Sequence, residues 1–107
     1  MKIKLSIIAA TILVSACSGI SLTEEGKKVR VLEPGEVDSC RELGKTSTSV
    51  TATVAGIERP DSTIAEELRT IASNGAARMG GDTIVPLTVV EAGQQTFVVY
   101  KCVNPES

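Results

Sequence analysis

Three features of the sequence predict a small α+β domain: a largely antiparallel sheet of about four strands, one long helix packed on a face, and a short N-terminal helix. An apolar stripe at three- and four-residue steps runs over residues 62–79, the pattern of one long amphipathic helix. Alternating or β-branched runs at 28–32, 45–54, 83–90 and 95–103 supply the strands. Their order is strand, short helix, strand, long helix, strand, strand, which puts helix and sheet in separate layers of one sandwich. A chain of 107 residues holds one such domain and leaves no room for a second.

The first strand, KVRVL (28–32), sets Val29 and Val31 against Lys28 and Arg30 as a half-buried ribbon, and Pro34-Gly35 ends it with a turn. EVDSCREL (36–43) reads as one or two helical turns, with Val37, Cys40 and Leu43 on one side and Gly44 as the stop. In KTSTSVTATV (45–54) the alternation places Val50, Ala52 and Val54 on one face and Ser49, Thr51 and Thr53 on the other. Gly56 to Pro60 is a loop.

The long helix begins near a capping box, Thr63-Ile64-Ala65-Glu66, with Asp61 as an alternative cap. Ile64, Leu68, Ile71, Ala72, Ala76 and Met79 form its stripe. Gly75 interrupts that stripe at a cost of about 1 kcal/mol relative to alanine, which suggests a close approach of helix and sheet. Gly80-Gly81 supplies the stop. TIVPLTVV (83–90) and QTFVVYKCV (95–103) form a hairpin turning over 91–94. Pro86 cannot donate to a ladder and marks an edge or a bulge there. Thr96, Val98, Tyr100 and Cys102 share one face of the last strand, with Phe97 and Val99 on the other.

Composition excludes several function classes. There are 11 basic and 13 acidic side chains, a net charge of −2, two aromatics (Phe97 and Tyr100) and no histidine. Stacking platforms for single-stranded nucleic acid, a basic footprint on duplexes and histidine-based triads are all ruled out. The remaining constellations read as structure. Glu66 and Glu67 are adjacent on a helix and point about 100° apart, too divergent to flank one substrate atom. Hydroxyls at 46–49, 51 and 53 have only Lys45 to activate them. Gly80-Gly81-Asp82 follows a helix, whereas phosphate turns precede one. Asp38, Glu42 and Asp82 are scattered acids expected to stay solvated. The expectation is a non-enzymatic chain with no cofactor, no metal, no nucleic-acid partner and no small-molecule substrate.

The N-terminus reads as an address. Lys2 and Lys4 precede an apolar run from Leu5 to Val14, which suits a signal peptide and falls short of the roughly 20 residues of a spanning helix. Val14-Ser15-Ala16-Cys17 resembles a bacterial lipobox. That resemblance implies cleavage before Cys17 and acylation of its sulfur and amino group. Ser18 in the next position implies the outer membrane, with the domain facing the periplasm. Several acyl chains anchor stably where one does not. Plain secretion and an uncleaved anchor are the alternatives. The expected organisation is a signal peptide at 1–16, a lipidated tether at 17–28, one domain at 29–103 and a flexible end at 104–107. Loss of Lys2 and Lys4 would leave a mature net charge of −4.

With Cys17 assigned to lipid, Cys40 and Cys102 remain as an even pair in an oxidising compartment, where a structural disulfide is expected. A reduced dithiol doing redox or metal work is the alternative, although no CxxC spacing supports it. Tyr100, Arg30 and Lys101 are the candidate interface residues. Tyr100 would be an anchor at a strand rim, and the two cations, with Lys28, would form a small basic stripe.

GKKVRVL (26–32), EVDSC (36–40), AARMGGDTIVPL (76–87) and VVYKC (98–102) resemble the YjeI-type family of small bacterial lipoproteins of unknown function. More distantly the layout is similar to the RcsF-type outer-membrane lipoproteins that sense envelope stress, without their proline-rich tether and with a single cysteine pair. The resemblance implies an envelope lipoprotein whose domain interacts with, or senses, another envelope protein. The alternative is a periplasmic redox- or metal-responsive protein using Cys40 and Cys102.

Overall fold

The computed structural model describes residues 20–105; the signal segment, Cys17 and the last two residues lie outside the described part. Seven regular elements follow: β1 (Arg30–Val31), β2 (Arg41–Ser49), β3 (Thr53–Val54), β4 (Ile57–Glu58), α1 (Asp61–Arg78), β5 (Thr83–Pro86) and β6 (Gln94–Lys101). Four strands make one sheet in the order β1-β5-β6-β2, while β3 and β4 pair as a separate small hairpin. The sheet is mixed. β5 and β2 run antiparallel to β6, and the two-residue β1 lies parallel to β5. One long helix on a four-stranded sheet is the architecture the periodicities predict.

α1 spans 18 residues, about 27 Å at 1.5 Å per residue. Ala72 and Ala76 pack on Ile84, Phe97 and Val99 in the central cluster, with Val29 and Leu43 at its margin. Leu68 and Ile64 extend the buried stripe toward the helix start. The predicted capping box does not form. Pro60 occupies the N-cap with no side-chain cap, and its carbonyl accepts the Ile64 amide at 3.1 Å. Proline is suited to a helix start because it brings no amide to leave unpaired. The helix therefore starts at Asp61, one residue ahead of the predicted stripe, and Thr63 and Glu66 fall inside it.

The short helix predicted over 36–43 is replaced. A 3₁₀ turn at Pro34–Glu36 carries a Glu33/Glu36 capping box, the Cys40 amide closes a turn on the Val37 carbonyl, and β2 begins at Arg41. Eight residue pairings with β6 outweigh the helical pattern of EVDSCREL. Gly44 is then no helix stop. It sits at a bulge in β2 at φ 152°, a backbone geometry a side chain rarely accepts.

The strand predicted over 45–54 breaks after Ser49. The Val50 amide turns to the Gly93 carbonyl at 2.8 Å, and the chain re-forms as the β3–β4 hairpin. Ala55 and Gly56 both have positive φ, as a two-residue turn of the tight mirror-image type requires. Val54 is consequently 59% exposed instead of facing a core. The last hairpin turns where predicted, with Glu91 bridged to Gln94. β1 reaches only Thr83 and Ile84, so Pro86 stands on an open side where its missing amide costs nothing. Beyond it the amides of Leu87 and Thr88 both reach the Thr96 carbonyl, an irregularity in the ladder.

Strand alternation puts Ile84, Phe97 and Val99 beneath α1 and leaves Thr83, Val85 and Val98 on the opposite face, where they are buried as well. The segment 32–40 joins the two sheet edges, β1 and β2, and carries the buried Val37. β6 thus has apolar groups on both faces, as its alternation predicts.

Candidate functional site

One corner of the sheet gathers most of the chemistry-bearing groups. Arg41 pairs with Lys101, so the positions just outside them, Cys40 and Cys102, stand opposite one another. They form a disulfide with a Cα–Cα distance of 4.3 Å across a sequence separation of 62. Both are half-buried.

Asp82 is the second component. It follows Gly80-Gly81, where Gly80 at φ 85° turns the chain out of the helix and Gly81 lies too close to Val99 for any side chain. The Asp82 amide donates to the Tyr100 carbonyl at 3.0 Å. Its carboxylate accepts the amides of Cys102 at 2.8 Å and Val103 at 2.9 Å, and the Thr83 hydroxyl at 3.1 Å. Burial pushes this carboxyl up, but the Cys102 and Val103 amides, the Thr83 hydroxyl and the nearby Lys101 charge together outweigh it. Its pKa is held below the ordinary aspartate value. Sequence reasoning assigned Asp82 only to a helix stop or a diffuse cation cluster. An acidic residue at a helix-to-strand turn, able to accept neighbouring amides, was the available signal.

Of the three interface candidates, Arg30 and Tyr100 fall in one cross-strand row through Thr83, with Glu42 at its far end. Arg30 is exposed and Tyr100 half-buried. Lys101, one residue on, alternates to the other side of the sheet, beside Asp82. The stripe of Lys28, Arg30 and Lys101 is therefore divided between two faces. Asp38, Glu42 and Asp82 are not brought together, and among the described residues no three metal-ligating side chains cluster. Glu67 binds Arg59 at 2.6 Å, leaving Glu66 beside a shallow groove near Arg69.

Two surface features were not anticipated. Asn74, a poor helix former, accepts the Thr23 amide at 2.9 Å and donates to the Ser21 carbonyl at 3.0 Å. The stretch Ser21–Lys28, expected to be tether, is thereby bound along α1. At the other end of the helix a cleft of about 410 Å³ opens between the two hairpins and the helix start, lined by Thr53, Arg59, Ile64, Val90 and Ala92. Around it Val54, Ile57, Leu87 and Val89 stand more than half exposed.

No described helix is long and apolar enough to cross a membrane. Neither a curated protein nor a solved structure matches the chain. Residues 20–102 match the model of a domain of unknown function, DUF4156, a span running from the Asn74-bound segment to the second cysteine of the disulfide. The chain belongs to the DUF4156 family.

Proposed function

We propose that the protein is a lipid-anchored envelope lipoprotein whose domain works by binding another envelope protein, without catalysis. The observation that carries this reading is Val14-Ser15-Ala16-Cys17, a lipobox-like sequence ending three residues before the family domain begins. The outer-membrane location, the likeness to YjeI-type lipoproteins and the more distant likeness to RcsF-type sensors belong to the same reading. The disulfide suits an oxidising compartment. Exposed apolar side chains on the β3–β4 turn and the β5–β6 loop offer the binding surface. The test is the intact, non-reducing mass of protein extracted from membranes after alkylation. A mass that begins at acylated Cys17 and lacks two thiol hydrogens is expected; an unacylated Cys17 overturns the reading.

A second reading rests on the half-buried, directly opposed Cys40 and Cys102. In it the pair is a thiol-responsive switch or a metal-responsive dithiol. The same measurement separates the two, because this reading requires a substantial alkylated fraction at both cysteines in protein taken from cells.

A further inference from the structure

We propose that the anchored domain does not swing on a leash: it is held flush on its own membrane, with the groove between the 3₁₀ turn at Gly26–Lys28, β1 and α1 facing the phospholipid headgroups. The inference rests on the acylation of Cys17 proposed above. Its basis is how early the chain becomes fixed. Asn74 accepts the Thr23 amide and hydroxyl and donates to the Ser21 carbonyl, and the Thr23 hydroxyl in turn accepts the Gly26 amide at 2.9 Å. Gly26 is buried so closely on the Asn74 side chain that no larger residue fits. Four residue steps separate Cys17 from Ser21, a reach of at most about 14 Å whatever their conformation. Eleven flexible residues would have let the domain roam; four hold its attachment point within about two headgroup-layer thicknesses of the acylated residue.

The surface at that attachment point has the chemistry of a headgroup layer's partner. Ile20, Leu22 and Val31 are about 40% exposed there. A shallow groove of about 270 Å³ is lined by Leu22, Val31, the cations Lys27 and Arg69, and one carboxylate, Glu66. Glu24 is taken up by Lys27 at 3.1 Å, while Arg69, on the groove itself, makes no ion pair among the described residues. Exposed apolar side chains beside long cationic ones match an interface of acyl chain and phosphate, where Arg69 is the groove's cation without an ion pair among the described residues. The hairpin cleft at the start of α1 lies about 20 Å along the helix axis from Asn74, and serves as the internal reference.

The test uses the full acylated protein in vesicles of phosphatidylethanolamine and phosphatidylglycerol carrying a headgroup spin label. Single fluorophores are placed through Thr70→Cys, on the same groove, or Ile57→Cys, with the native disulfide kept. Quenching several-fold stronger at residue 70 than at residue 57 is expected. Inserting a flexible glycine-serine stretch between Gly19 and Ile20 should largely abolish that difference without touching the fold. Vesicle-bound protein with equal quenching at the two sites, or with a contrast that survives the insertion, overturns the inference and leaves the anchor standing. Protein that fails to float with the vesicles overturns both.

Discussion

Asp82 accepts the backbone amide of Cys102 at 2.8 Å, so a carboxylate at the entrance of β5 holds the disulfide end of β6 in place. The adjacent Val103 amide, at 2.9 Å, makes the clamp two-pronged. Covalent and charge-assisted restraints converge on one corner of a sheet whose β1 edge has only two residues.

Asp82→Asn keeps the size of the side chain but exchanges an oxygen acceptor for an amide that cannot serve both donors. A loss of about 1–3 kcal/mol is expected in urea unfolding at pH 7. Because the folded-state pKa lies below the ordinary value, the carboxylate's contribution is complete above roughly pH 4 and disappears as pH falls through the folded value. The stability gap between wild type and variant should therefore be widest at neutral pH and narrow on acidification. An equal gap at pH 7 and pH 2 would refute this account.

Gly75 and Gly81 predict opposite responses to the same change. A Cβ on Gly75 would meet Thr46 Oγ1 at 3.5 Å and Arg78 Nη2 at 3.8 Å, ordinary contacts, so no close approach requires glycine there. Gly75→Ala should stabilise the fold by about 1 kcal/mol through helix propensity alone. On Gly81 the same methyl would lie 2.5 Å from Val99 Cγ1 and 3.1 Å from the Tyr100 carbonyl. Gly81→Ala should lower the thermal midpoint, and a rise there would contradict the packing described.

Removing the bridge with Cys40→Ala and Cys102→Ala together opens a loop of 62 residues. Loop entropy sets the expected loss at up to roughly 4 kcal/mol, a large share of the stability of so small a domain. Denaturant unfolding of the double variant beside the oxidised parent measures it directly.

Arg59 binds Glu67 at 2.6 Å and the Thr51 carbonyl at 2.7 Å, joining the β3–β4 hairpin to the helix. Arg59→Ala should cost about 1 kcal/mol globally. Its larger effect is expected to be local, with faster hydrogen exchange over residues 51–58 and little change in the core of β6. Uniform acceleration across both regions would show that the hairpin is not a separable unit.

The long helix, the last hairpin and the cysteine pairing were legible in the residues, because each rests on a short-range period, a turn or a count of two. Leu68, Ala72 and Ala76 repeat with the helix, and burial followed the repeat. The segment 36–43 was misread because its helical spacing is a weak local preference, and the ladder with β6 that overrides it comes from residues some sixty positions away. Thr63 and Glu66 similarly fit a capping box that Pro60 pre-empts. Among the candidate site residues, Cys40 and Cys102 were found by composition, whereas Asp82 is marked only by its helix-to-strand turn and Asn74 by nothing local, because both act through backbone groups of distant segments.

By itself, the sequence determined the α+β class, the single long helix and the turn over 91–94. Those are properties of neighbours within a few residues. Tertiary structure alone decided the strand order β1-β5-β6-β2, the burial of Val85 and Val98 on the face away from α1, the separation of Arg30 from Lys101, and the docking of Ser21–Lys28 on Asn74. Each depends on which distant segments meet, and that is set by the joint burial of two sheet faces, to which no local spacing is sensitive.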